Sequence, residues 1–203
     1  MSAAGAPSVP GGDLALHCRP GRAGAQLTFP YRLENGCGVD LYVMDAIPVP
    51  GPEGRAEAAD DQAVVIILAP DGDALLGKFP APLPADRRIA VPVIPLARRL
   101  APGEVLEREL AVKLPLAETS PYFPELTLRQ YEPVEIAAVV FAICYWLAGE
   151  PGLAAVPAET EGDLWRVVTR HPLKNLHMAR QRFPTKGLQI FKRLDAFPRT
   201  AAG

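Results

Sequence analysis

The stretch Val134-Glu135-Ile136-Ala137-Ala138-Val139-Val140-Phe141-Ala142-Ile143-Cys144-Tyr145-Trp146-Leu147-Ala148 decides how this chain folds. Its odd positions are large: Val139, Phe141, Ile143, Tyr145 and Leu147. Most even positions are smaller (Ala138, Val140, Ala142, Cys144, Ala148), with Trp146 the exception. Successive residues of a strand point to opposite faces, so a size alternation of period two favours a strand. The helical alternative places Ala138 and Ala142 one turn apart on a small face. A strand that is apolar on both faces must be covered on both. One cover is an opposing sheet; the other is the C-terminal segment or a second molecule.

Outward from that strand, the same period recurs. Leu27, Phe29, Tyr31 and Leu33 alternate with Thr28 and Arg32, and Asn35-Gly36-Cys37-Gly38 then reads as a tight turn. Val39–Met44 follows as the partner strand of a hairpin. Residues 48–61 read as an exposed loop. Ala63–Leu68 reads as a short buried strand, stopped by the turn Pro70-Asp71-Gly72-Asp73. Leu106, Arg108, Leu110, Val112 and Leu114, interleaved by Glu107, Glu109, Ala111 and Lys113, mark another alternating strand. Prolines at 80, 82, 84, 92 and 95 confine residues 79–95 to an edge strand or extended coil, and residues 117–133 form a Pro/aromatic loop. Proline supplies 23 of 203 residues, about twice the usual share of roughly 5%, which suits short strands and turns better than long helices.

Leu100-Ala101-Pro102-Gly103-Glu104, ahead of the strand Leu106–Leu114, resembles the lead-in to a middle strand of many bacterial immunoglobulin-like domains. Leu33-Glu34-Asn35 before its turn resembles the end of their second strand. The resemblance spans roughly residues 26–148 and implies a fold without implying chemistry. The expectation is therefore an all-β, immunoglobulin-like antiparallel β-sandwich with a C-terminal extension. Residues 1–12 read as a disordered leader, 13–150 as the sandwich, and 151–203 as a basic segment that packs on the sandwich or completes it. Within that segment Pro172–Phe183 reads as one short helix, with Leu173, Leu176 and Arg180 along one side. Leu164–Arg170 and Leu188–Leu194 read as strands.

Charge is distributed unevenly. Residues 164–203 hold nine Lys/Arg against one acid, Asp195, whereas residues 1–163 hold 12 Lys/Arg against 22 acids. Such asymmetry suits a basic segment docked on an acidic body, or a tail reserved for an anionic partner. The longest apolar run, Ile136–Ala148, falls short of the roughly 20 residues of a spanning helix. The leader has neither the basic nor the apolar region of a signal peptide. Cys18, Cys37 and Cys144 form no disulfide framework, so free thiols in the cytoplasm are expected.

Motifs for catalysis are sparse. Ser2, Ser8 and Ser120 include no G-x-S-x-G elbow. Cys144, mid-strand, reads as a buried and inert thiol, and Cys37 in the glycine turn has no base supplied by a local motif. His17, Cys18, Cys37, His171 and His177 make no metal-ligand spacing. Asp60-Asp61 and Asp71-Gly72-Asp73 read as turn chemistry. No cofactor is expected, and the expected function is a non-catalytic protein-interaction or assembly module, self-associating or bound to a protein partner. Candidate interface residues are Tyr122, Phe123, Tyr131 and Trp146. The alternative is an anion-binding domain for nucleic acid or acidic lipid. It would use Arg166, Arg170, Lys174, Arg180, Arg182, Lys186, Lys192 and Arg193, with Trp165, Phe183 and Phe191 for stacking.

Overall fold

A computed structural model describes residues 14–50, 56–83, 93–122, 130–158, 163–169, 173 and 175–194. The strands in chain order are β1 (Leu14–Cys18), β2 (Gly21–Ala23), β3 (Gln26–Asn35), β4 (Leu41–Pro50), β5 (Ala56–Asp60), β6 (Val65–Leu68), β7 (Ala74–Lys78) and β8 (Leu96–Leu100). Then come β9 (Val105–Lys113), β10 (Leu116–Ala117), β11 (Tyr131–Glu135), β12 (Ala138–Leu147), β13 (Leu153–Pro157), β14 (Trp165–Thr169), β15 (His177–Pro184) and β16 (Gln189–Arg193). The described residues contain no α-helix and no helix long and apolar enough to cross a membrane. The leader lies outside them.

In the first sheet β3 is central. Tyr31 pairs with Cys18 of β1 on one edge and Arg108 of β9 on the other, and β2 continues the β1 edge. In the second sheet β12 is central. Ile143 pairs with Ala179 of β15 on one edge and Lys78 of the parallel β7 on the other. Beyond Lys78 that second edge passes to β4, through Tyr145–Val43. From β4 the sheet runs through β8 and β14 to β13, and β6 lies outside β7. A small third sheet sets β16 between β10 and β11.

The alternation in β12 is a division between two cores. Val139, Phe141, Ile143 and Tyr145 join the cluster shared with the first sheet, where Phe141 stacks on Phe29 at 5.4 Å between ring centres. Ala142, Cys144 and Trp146 belong to a second cluster with Met44, Val65, Phe79, Ala81, Ala97 and Val167. Val93, Ile94, Tyr122 and Leu176 pack against that cluster. Both faces are covered, as expected, but part of the second cover comes from Phe79, Ala81, Val93 and Ile94 of the proline-rich stretch. Such chain joins a ladder poorly, yet it still delivers apolar side chains onto a face made of small residues.

Several sequence expectations change. The C-terminal segment enters in the plane of the sheet, with β15 hydrogen-bonded along β12, rather than as a layer above it. Residues 177–183, expected to be helical, are strand: His177, Ala179, Gln181 and Phe183 are half-buried, alternating with exposed Met178, Arg180, Arg182 and Pro184. Ala179 and Phe183 pack on the main core, so tertiary burial overrides the weak helical spacing. The loop expected at 48–61 contains the end of β4 paired with β5.

The hairpin between β3 and β4 is also corrected. Both strands exist, but they lie in different sheets. Buried Asn35 explains the corner: its Nδ2 donates to the carbonyls of Val39 and Leu100, each at 2.8 Å, and its Oδ1 accepts from the Cys37 N–H. An Asn at the end of β3 whose side chain satisfies main-chain groups of the turn and of β8 in the other sheet carries the chain across the sandwich.

Candidate functional site

An ion cluster ties the two sheets together on the β9 side. The β4–β8 register shifts between Met44 and Ala46, a bulge that carries Asp45. Its carboxylate, 2% exposed, accepts from Arg98 Nε at 2.8 Å and lies 3.6 Å from Arg108 of the facing sheet. Nearby, Lys78 ends β7 wholly buried, and its Nζ donates to the carbonyls of Asp61 and Ala63. Desolvation lowers the Lys78 pKa from 10.5 to about 8, with the charges of Asp45, Asp60 and Asp61 opposing that shift.

This lowering has a sign that can be tested. Between about pH 8 and 10.5 the unfolded chain holds a proton that the folded one has released. Stability from this group is therefore expected to rise with pH across that window, by roughly 3 kcal/mol in all. Urea midpoints measured across it should climb more steeply for the wild type than for Lys78→Met. Parallel curves would reject the assignment.

A cleft of about 840 Å³ crosses the first sheet, lined by His17, Cys18, Arg32, Glu107, Glu109 and Gln181, among others. Burial pushes the Cys18 thiol up to about 12 and also raises the Tyr31 phenol, which lines the same cleft. Both are protonated at neutral pH, so what the cleft presents there is hydrogen bonding and charge. Cys144 is likewise pushed up to about 12 by burial.

Two strand edges flank the sandwich on opposite rims. Thr185 N–H donates to Ala137 O in the β12–β15 register, so odd residues of β15 turn their main-chain groups towards β12. Met178, Arg180 and Arg182 turn theirs outward. By the same reasoning, the Leu114 N–H to Ala25 O bond turns Val105, Glu107, Glu109, Ala111 and Lys113 of β9 away from β3. β15 borders the rim occupied by β1, whose Cys18 N–H donates to Gln181 Oε1 at 2.9 Å. β9 lies on the other edge of that sheet.

The eight expected anion contacts do not form one surface. Arg166, Arg180 and Lys186 are exposed. Arg182 forms a bidentate pair with buried Asp73 at 2.6 and 3.0 Å, and Lys192 pairs with Glu132 at 3.3 Å. Arg193 is buried, its N–H donating to Glu118 Oε2. Arg170 and Lys174 lie outside the described residues, as does Phe123. Trp165 leans on Tyr42, Phe191 meets Tyr131 edge-on, and Phe183 packs on the core, so none stands open for stacking.

Of the expected interface residues, Trp146 is wholly buried in the second core. Tyr122 is half-buried, its hydroxyl accepting from the Val93 N–H at 2.8 Å. Sequence reasoning missed Asp45, Lys78, Arg98 and Arg108. The available signal was a lone charge within or closing an apolar strand, as in Met44-Asp45-Ala46 and Leu75-Leu76-Gly77-Lys78. No protein-family model, no curated protein and no solved structure matches the chain.

Proposed function

We propose that this domain is a non-catalytic interaction and assembly module that binds extended partner segments along its open strand edges. The observation that carries the reading is the outer edge of β15, where Met178, Arg180 and Arg182 present main-chain donors and acceptors that have no strand partner among the described residues. Unpaired edge groups are a template for strand addition. The edges of β6 and β13 are blunted. Ile66 of β6 exchanges two bonds with Thr119, and the Leu68 N–H donates to Glu118. On β13, Pro157 brings no N–H to the free side, because the Ala158 N–H to Leu164 O bond sets the outward residues as 153, 155 and 157.

An immunoglobulin-like sandwich is the architecture we assign to the two facing sheets, with β13 to β16 as additions. The anion-binding alternative has less support, since its cations are dispersed and partly paired with carboxylates.

Edge-blocking prolines provide the test. Arg180→Pro and Ala111→Pro each remove an outward N–H without touching the inner ladder. Both variants should keep the wild-type circular dichroism. Affinity capture from host extract, combined with sedimentation of the pure protein, should show associations that the wild type makes and at least one blocked variant loses. Identical behaviour of all three chains would overturn the reading.

A further inference from the structure

The two open edges carry opposite charge, and their order matches. The outward residues of β9 are Val105, Glu107, Glu109, Ala111 and Lys113; those of β15 are Met178, Arg180, Arg182 and Pro184. We infer that the segment taken by β15 is β9 of a second copy of this chain, paired antiparallel in the register Ala111–Met178, Glu109–Arg180, Glu107–Arg182 and Val105–Pro184. This rests on the reading of the strand edges given above and names their occupant.

Three observations favour that occupant. Opposite charges facing across an antiparallel pair stabilise it, and this register sets exposed Arg180 against Glu109, with Glu107 facing an Arg182 that is already paired with Asp73. Val105 and Met178, exposed by 38% and 44%, each gain an apolar neighbour, Pro184 and Ala111 respectively. Self-pairing of β15 centred on Arg180 sets Arg180 against Arg180, and self-pairing of β9 centred on Glu109 sets Glu109 against Glu109, so these two registers are disfavoured. The β9 edge has only light side-chain cover: Arg108 reaches the Glu107 carbonyl, and Gln62 approaches the Glu109 carbonyl at 3.4 Å.

Because β9 and β15 border opposite rims, the contact is heterologous. Each copy offers one edge of each kind, so assembly proceeds head to tail into a ring or an open filament. A contact of one strand pair is small, and association should be concentration-dependent and weakened by salt.

Sedimentation velocity over a concentration series tests this directly. Wild-type mass should rise with concentration at low salt. Glu109→Arg and Arg180→Glu should each remain monomeric, because each sets like charges face to face. Their equimolar mixture should regain association: the two introduced charges attract across one contact, and the native Glu109 and Arg180 that the variants retain attract across the next. An equimolar mixture of Arg180→Pro and Ala111→Pro should stop at dimers, because each chain retains one edge. Dimers of Ala111→Pro alone would indicate β15–β15 pairing and overturn the inference. A monomeric wild type whose host partner is lost on edge blocking would also overturn it, while leaving the interaction reading in place. If no chain associates with anything, both fail.

Discussion

Gly77→Ala is expected to leave little or no folded protein. Gly77 lies in β7 with φ at +151°, and a Cβ there would sit 1.9 Å from Ala142 O and 2.9 Å from Ala142 C. Neither neighbour can move away. Ala142 is the middle of the central strand, whose other edge is held by β15 through the flanking pairs Phe141–Gln181 and Ile143–Ala179, while Gly77 is paired with Val65 of β6. Relief requires parting β7 from β12, which opens both cores at once. The loss should exceed about 4 kcal/mol, beyond what most point substitutions cause. Gly38→Ala is the control, since a Cβ at that position has nothing within 4 Å. Soluble yield and urea denaturation of the two variants decide the matter; a Gly77→Ala protein with the wild-type midpoint would refute the close-approach argument.

Asp45→Ala should be the second most damaging change. It removes the carboxylate that accepts from Arg98 and faces Arg108, and it strips buried Lys78 of the strongest of the opposing charges that act on it. The side chains of Arg98 and Arg108 are 25% and 32% exposed, so water partly compensates the stranded guanidiniums and the loss should be about 1–3 kcal/mol. Adding Lys78→Met to Asp45→Ala should restore part of that loss, since one stranded cation is then gone. Strict additivity of the two single changes in urea would show that Lys78 and Asp45 are uncoupled.

The strands were legible where one face is uniformly apolar. β3, β9 and β12 show a period of two in their side-chain sizes or polarities; burial follows it in β3 and β9, while β12 is buried on both faces. Pairing was much less legible. Asn35-Gly36-Cys37-Gly38 has hairpin composition, yet the Asn35 amide reaches the Leu100 carbonyl, a contact that depends on where β8 lies. β8 itself, Leu-Ala-Arg-Arg-Leu, carries two adjacent charges and no clear period, so it went unread. β15 was read as helix because its inward residues include polar His177 and Gln181, which hide the alternation.

The candidate edges were invisible for a related reason. An edge is defined by which strand is missing beside it, and no local pattern records that. The charge asymmetry was plain in composition, but its outcome was not. Arg182 crosses to Asp73 and Lys192 to Glu132, whereas Arg180 stays exposed beside an open ladder. Those fates depend on register.

The pairing of β12 with β15 also bears on how the chain is made. As synthesis proceeds from the N-terminus, β12 emerges after β4 and β7, which can occupy one of its edges at once. Its other edge waits for residues 177–184, which follow β13 and β14. Until they leave the ribosome, the most apolar strand of the molecule carries an unfilled ladder, the kind of surface on which nascent chains aggregate. Completion of the larger sheet is thus a late event, and a chain truncated before β15 should depend on chaperones to stay in solution.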